Sequence, residues 1–404
     1  MAAGLAVTSL ACGRPDPAEW TVDVQPLTLP AGPNSMEPQF TSSDRGVLLS
    51  WLEREGRTST LKFAERAASG WTEPATVASG DDWFLSYADM PSVLRLSNGT
   101  LVAQWLKTTD AGIEAYDLLM AHSTDEGKTW TAPVTPHQDG TTTMHGFASM
   151  VEMPSGGLGV VWLDGRNSYF DFDDPETGTM MLRFAEFDTN WTQLSDQLID
   201  QRVCECCPTT AVMTADGLIT AYRDLIDETQ VRDIAVSRLE NGAWTEAAPL
   251  HQDNWEVAFC PVNGPMLSAR GRDVAAAWFT AVGDEGHAYA AFSEDAGRTW
   301  TTPVRLDDAS ALGRVGIVLL DDGTAVATWI EFTGGGSQFR TRLVDRTGAK
   351  SAPITLSGIG GARPNGYPRI AQQGDELIFA WTETEEGGEG EPRMTVRAAI
   401  AALP

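Results

Sequence analysis

Ser123-Thr124-Asp125-Glu126-Gly127-Lys128-Thr129-Trp130 recurs later in the chain as Ser293-Glu294-Asp295-Ala296-Gly297-Arg298-Thr299-Trp300. Both copies read S-x-D-x-G-x-T-W. The chemistry is that of a tight β-turn: the aspartate accepts from nearby backbone amides, the glycine takes positive φ, and the tryptophan buries where the next strand begins. Such a turn joins two strands of a repeated unit, so it reports architecture before it reports function.

The repeat runs through the whole chain. Apolar, strand-like runs that end in a large aromatic occur at Val47–Trp51, Leu101–Trp105, Gly159–Trp162, Leu218–Tyr222, Val274–Trp278, Ala325–Trp329 and Leu377–Trp381, about 55 residues apart. Most follow a glycine turn, such as Asn98-Gly99, Asp216-Gly217 or Asp322-Gly323, as in the hairpin between the first two strands of a propeller blade. A second series, Trp71, Trp130, Trp191, Trp244 and Trp300, each followed by threonine, marks the outer strand, with Ser351-Ala352-Pro353-Ile354 in the sixth place. The last repeat runs out of chain after a third strand near Met394–Ala399, whereas Trp20–Pro30 matches the outer-strand series. The expectation is a single all-β domain over residues 20–404: a seven-bladed β-propeller of four-stranded blades, closed by the N-terminal strand, which leaves no free sheet edge.

Composition narrows the setting. Fifty-six acidic against 28 basic residues give a formal charge of −28, which repels nucleic acid and anionic membranes and argues against a nucleic-acid partner. Residues 1–19 read as an apolar secretory remnant running into Cys12 and a proline-containing tether. This predicts export, as a periplasmic or cell-surface protein, with Cys12 a point of lipid attachment. A monomer bound to a glycan or small molecule is the expected partner arrangement.

The blades set where chemistry is to be sought. Loops that lead into the inner strands and loops that leave the second strands share one face, around the central channel. Counting back from the aromatic markers brings Glu37, Asp89 with Tyr87, His145, the run Cys204-Glu205-Cys206-Cys207, Cys260 with Asn263, Arg314 and Tyr367 to that mouth. Thiolates beside an imidazole suit copper or zinc, which predicts a metal site of Cys204, Cys206, Cys207, Cys260 and His145. The competing reading is one or two disulfides among the same four cysteines, since an exported protein oxidises its thiols. The acidic run 171–178 has carboxylates enough for calcium, and a solvated loop is its other reading.

The two turns are Asp boxes, and with the blade pattern they resemble the sialidase-like, or BNR-repeat, propellers over nearly the entire chain. The resemblance implies an active site on the face opposite the boxes. Arg166, Arg223 and Arg314 are then placed to clamp a carboxylate as the sialidase arginine triad does, with Asp224 beside Arg223 and Tyr367 in a place comparable to that of the nucleophilic tyrosine. Asp81 or Asp82 would supply the acid. Where the family carries arginine in the first blade, this chain reads Asn34-Ser35-Met36-Glu37-Pro38. The alternative for Asp164 with Arg166, and for Arg223 with Asp224, is simple pairing across neighbouring blades. Three classes follow: a copper-centred propeller acting as an oxidoreductase or copper-binding protein, a sialidase-like glycoside hydrolase, and a non-catalytic binding propeller.

Overall fold

The computed structural model describes residues 17–109, 115–168, 178–226, 229–360, 365–385 and 393–403. Cys12 and the acidic residues 171–177 lie outside these. Seven antiparallel sheets follow one another along the chain. Their inner strands are Ser35–Ser43, Ser92–Arg95, His145–Glu152, Thr210–Thr214, Met266–Arg270, Ser310–Leu319 and Arg369–Gln373. Within each blade the second and third strands pair consecutively, as in an up-and-down sheet. In blade 2 the outer position is held by the reciprocal hydrogen bonds of Met120 and Val134, both 2.8 Å, rather than by a regular strand.

The ring closes as expected from the sequence. Gln25, Pro26 and Leu27 pair with Ile400, Ala399 and Ala398, so the N-terminal strand is the outer strand of blade 7. Trp20 is buried in the same cluster as Phe379 and Trp381 and anchors the approach to it.

Second strands are apolar almost without interruption because neighbouring blades cover both of their faces. Val274-Ala275-Ala276-Ala277-Trp278 is buried throughout, and all seven marker aromatics are buried. Several are fixed by an acidic residue two positions on: Trp51 donates to Glu53 (2.9 Å), Trp162 to Asp164 (2.8 Å) and Trp329 to Glu331 (3.2 Å). Truncating a packed side chain of this size costs about 3–5 kcal/mol.

The Asp boxes are built alike. Ser123 Oγ accepts from Gly127 N–H at 3.0 Å, while Asp125 accepts from the Thr129 amide and hydroxyl at 2.9 and 2.7 Å. Ser293, Asp295, Gly297 and Thr299 repeat this at 2.8, 2.8 and 2.7 Å. Gly297 has φ +78°, and a methyl there would overlap Ile219 Cδ1 of the preceding blade. Gly297→Ala is therefore expected to destabilise the fold by about 2 kcal/mol, part from the left-handed backbone and part from overpacking. Urea denaturation checks this.

Candidate active site

At the mouth the inner strands do not begin regularly. Pairing slips between Met36 and Gln39 in blade 1, between Gly146 and Ser149 in blade 3, and between Gly313 and Gly316 in blade 6. Within these bulges Glu37, Phe147 and Arg314 take φ of +56°, +53° and +53°, and Val262 in blade 5 takes +49°. A left-handed backbone at non-glycine residues is costly and persists only where the surroundings impose it; bulges of this kind re-aim side chains. A left-handed residue thus recurs at the start of the inner strand in blades 1, 3 and 6, and just ahead of it in blade 5.

Below the mouth lies a cavity of about 190 Å³, walled by inner strands and including Asp89, Met90, Phe147, Met266 and Arg369. Its volume is that of about six waters, smaller than the usual ligand pocket, so it fits the end unit of a ligand rather than a chain. Asp89 is buried. Its carboxyl is pushed up to about 7 by burial, which outweighs the Phe147 N–H and the Tyr116 hydroxyl, 3.3 Å away, that donate to it. Glu37 is raised well above the usual carboxylate range by burial and by the Asp89 charge. Its Oε2 has no hydrogen-bond partner.

Arg369 is the cation of this cavity. Its Nη1 and Nη2 reach only the thioethers of Met266 (3.9 Å) and Met90 (3.7 Å), its plane lies over the Tyr367 ring at 5.5 Å, and its Nε is unpartnered. Burial lowers it to about 10, so it stays charged at neutral pH. A buried guanidinium with thioethers for neighbours is short of its natural partner, a planar anion.

The cysteines resolve into two kinds. Cys206 and Cys260 form a disulfide that ties the leading loops of blades 4 and 5, with Cα atoms 6.2 Å apart. This removes both from the expected metal set, because bridged sulfurs are not thiolates. Cys204 and Cys207 stay free and buried, with sulfurs 3.4 Å apart. Burial pushes the Cys204 thiol up, but the Cys207 S–H and the Arg232 guanidinium, 3.1 Å away, outweigh it and bring it to about 7. Burial and the Cys204 charge push Cys207 well up.

His145 does not join them. Its ring stacks on His137 at 3.7 Å, and its Nε2 faces Asp139 at 3.1 Å and Asp164 at 3.8 Å. The linker between blades 2 and 3 brings in His137 and Asp139 and so captures His145 on its own side of the ring.

Nor do the arginines form a triad. Arg166 is held by Asp164, on the same strand, at 2.7 Å and by Asp139 and Asp196 at 3.5 Å. Arg223 is buried, donates to the carbonyls of Asn263, Arg232 and Phe279, and lies over Trp255. It has no ion pair with Asp224, whose carboxyl burial and Asp200 raise to about 6. Arg314 does reach the mouth, donating to the Gly366 carbonyl at 3.0 Å over the Tyr87 ring. The Tyr367 hydroxyl donates to the Val262 carbonyl. Burial, then the neighbouring Cys207, raises Tyr367, so in this arrangement it is a neutral donor and not a phenolate nucleophile. Asp82 is exposed and paired with Lys107 at 2.9 Å.

Two features escape a reading by repeats. Arg369 sits two residues past Tyr367, inside what reads as strand; the signal is an arginine on a strand that faces the channel. His137 and Asp139 lie in an interblade linker that no repeat covers.

No protein-family model matches the chain, and neither does any curated protein. Among solved structures, an ulvan lyase of polysaccharide lyase family PL25 covers 94% of this chain and 94% of its own at 10% identity, with a TM-score of 0.54. The GH93 α-L-arabinofuranosidase of Fusarium graminearum covers 80% and 94% at 14% identity, TM-score 0.50. The NanB sialidase of Streptococcus pneumoniae covers 88% and 83% at 11% identity, TM-score 0.47. The chain is thus a seven-bladed β-propeller with two Asp boxes, a fold it shares with the lyase and the arabinofuranosidase.

Proposed function

We propose that the protein is a glycoside hydrolase that acts on a sugar end unit bearing a carboxylate. The observation that carries this is Arg369: a buried cation without an anionic partner, lining a cavity the size of one end unit. In this reading Arg369 holds the substrate carboxylate, and Asp89, poised near 7, gives its proton to the leaving glycosidic oxygen. Glu37, whose carboxyl is raised by burial and by the Asp89 charge, stands beside it. Proteins of the same fold named as an arabinofuranosidase and an ulvan lyase make glycan chemistry a natural use of this scaffold, and a copper oxidoreductase has no comparable support. The test is incubation with a panel of acidic and neutral oligosaccharides. Hydrolysis adds water and releases a reducing end; an elimination would instead leave an unsaturated, ultraviolet-absorbing sugar. No product from any member of the panel would overturn the reading.

A second reading rests on the free thiols. Cys204 and Cys207, 3.4 Å apart, suit a soft cation such as Cu(I). Titration against a chromophoric Cu(I) chelator is expected to give one ion per chain, lost in Cys204→Ser/Cys207→Ser; equal uptake by that variant would end this reading. The Cys206–Cys260 bridge also supports an oxidising, exported location.

A further inference from the structure

We propose that the four cysteines at the mouth form a disulfide relay, in which the buried thiols of Cys204 and Cys207 take over the bridge from Cys206 and Cys260. The sulfurs of Cys204, Cys206 and Cys207 all lie within 4.8 Å of one another, and the Cys204 sulfur lies within the same distance of that of Cys260. Cys204 and Cys207 stand at C-x-x-C spacing with their sulfurs 3.4 Å apart. A free sulfur beside a bridge exchanges with it by direct attack, at a rate set by access and by which sulfur is reached. Cys204 meets both conditions, since it lies close to either sulfur of the bridge and touches Cys207.

Exposure divides the four into an inner and an outer pair. Cys204 and Cys207 are each 1% exposed, which closes them to a thiol or disulfide in solvent. Cys206 and Cys260 are half-buried, and Phe259, next to Cys260, is 69% exposed, so the bridge lies at the surface. The inner pair therefore exchanges electrons with solvent only through the outer pair. In the first step the Cys204 sulfur attacks that of Cys260; a Cys204–Cys260 bond forms, and Cys206 leaves with the electron pair of the old bridge and takes the proton that Cys204 gives up. In the second the Cys207 sulfur attacks Cys204, and Cys260 leaves and takes the Cys207 proton. One disulfide and two thiols enter and leave this sequence, so it consumes no oxidant. A small-molecule disulfide then reoxidises Cys206 and Cys260 and is itself reduced to two thiols, which leaves both pairs bridged. Arg232 Nη1, 3.1 Å from the Cys204 sulfur, is placed to steady the attacking sulfur.

The exchange acts on the channel wall. Transfer of the bridge unties the leading loops of blades 4 and 5, and the segment it frees, 260–263, is the one that meets the wall. The Val262 carbonyl accepts from the Tyr367 hydroxyl, the Asn263 carbonyl from Arg223 at 2.9 Å, and Asn263 Oδ1 from the Arg314 amide at 2.8 Å. The Asn263 amide itself donates to the Cys207 sulfur at 3.4 Å. The relay thus couples the redox state of the surroundings to the footing of Tyr367 and Arg314.

The experiment uses the full chain in a chelating buffer, so that no copper occupies the thiols, and adds a maleimide to the native protein without reductant. Wild-type protein holding one bridge is expected to take up two maleimides over hours. Mass-spectrometric mapping after an acid quench should find them on Cys206 and Cys260, with Cys204 bridged to Cys207. Cys204→Ser, which removes the attacking sulfur, should slow this uptake at least about 10-fold. In Cys207→Ser the first step has no second to follow it, so one maleimide should land on Cys206 and Cys204 should be found bridged to Cys260. That variant also serves where wild-type protein is isolated with both pairs bridged, because three cysteines always leave one thiol; the wild-type mapping decides if either variant fails to fold. Maleimide on Cys204 or Cys207 of the native protein, a Cys206–Cys260 bridge left intact after prolonged incubation, or equal uptake by Cys204→Ser would each overturn the proposal.

Discussion

Asp89→Asn should lower kcat/KM on a cleavable glycan by about 10²- to 10⁴-fold, the usual contribution of a positioned proton donor, while leaving the propeller folded. Asparagine keeps the shape and still accepts from the Phe147 N–H and the Tyr116 hydroxyl, but it has no proton to give. The pH profile supplies the sign. The Asp89 carboxyl, raised to about 7, is protonated below that value and ionised above it, so a general acid loses rate as pH rises through about 7. That limb should vanish in Asp89→Asn. Retention of wild-type kcat/KM by the variant would remove Asp89 from the mechanism.

Removing the disulfide should have the largest effect on stability. Cys206 and Cys260 are separated by 54 positions, and closing a loop of that length restricts the unfolded chain by about 4 kcal/mol in the chain-entropy account. For a chain of this size, Cys206→Ala/Cys260→Ala should lower Tm by roughly 5 °C. Turnover should fall too, because Val262, two residues from Cys260, supplies the carbonyl that receives the Tyr367 hydroxyl. Thiol titration of the denatured wild-type protein should find two fewer sulfhydryls without reductant than with it. Equal counts, or an unchanged Tm, would show that the bridge does not form.

The fold was almost wholly legible because a propeller writes the same physical requirement seven times. Each second strand must be apolar on both faces and end in an aromatic, so Trp51 through Trp381 announce themselves, and the unmatched Trp20 segment supplies the missing strand. The same register brings Glu37 beside Asp89, Arg314 onto the Gly366 carbonyl and Tyr367 onto the Val262 carbonyl. What the mouth residues do there depends on partners outside the register. By register His145 groups with the cysteines, since all stand at or before the starts of inner strands, but the 131–144 linker, which no repeat constrains, gives it His137 and Asp139 instead. Arg166 and Arg223 read as substrate ligands by their type and place. The first is held by carboxylates and the second by backbone carbonyls, distinctions set by side-chain packing. Which two of four neighbouring cysteines bridge is likewise a matter of Cβ direction, which spacing does not encode.

The claim that matters most is that chemistry occurs at the cavity of Asp89 and Arg369. A crystal structure of Asp89→Asn with a bound acidic oligosaccharide tests it most directly. The account predicts the terminal sugar in the central cavity, its carboxylate on the Arg369 guanidinium and its glycosidic oxygen within hydrogen-bond reach of residue 89. A sugar seated between blades or on the Asp-box face, with the cavity filled only by water, would contradict it.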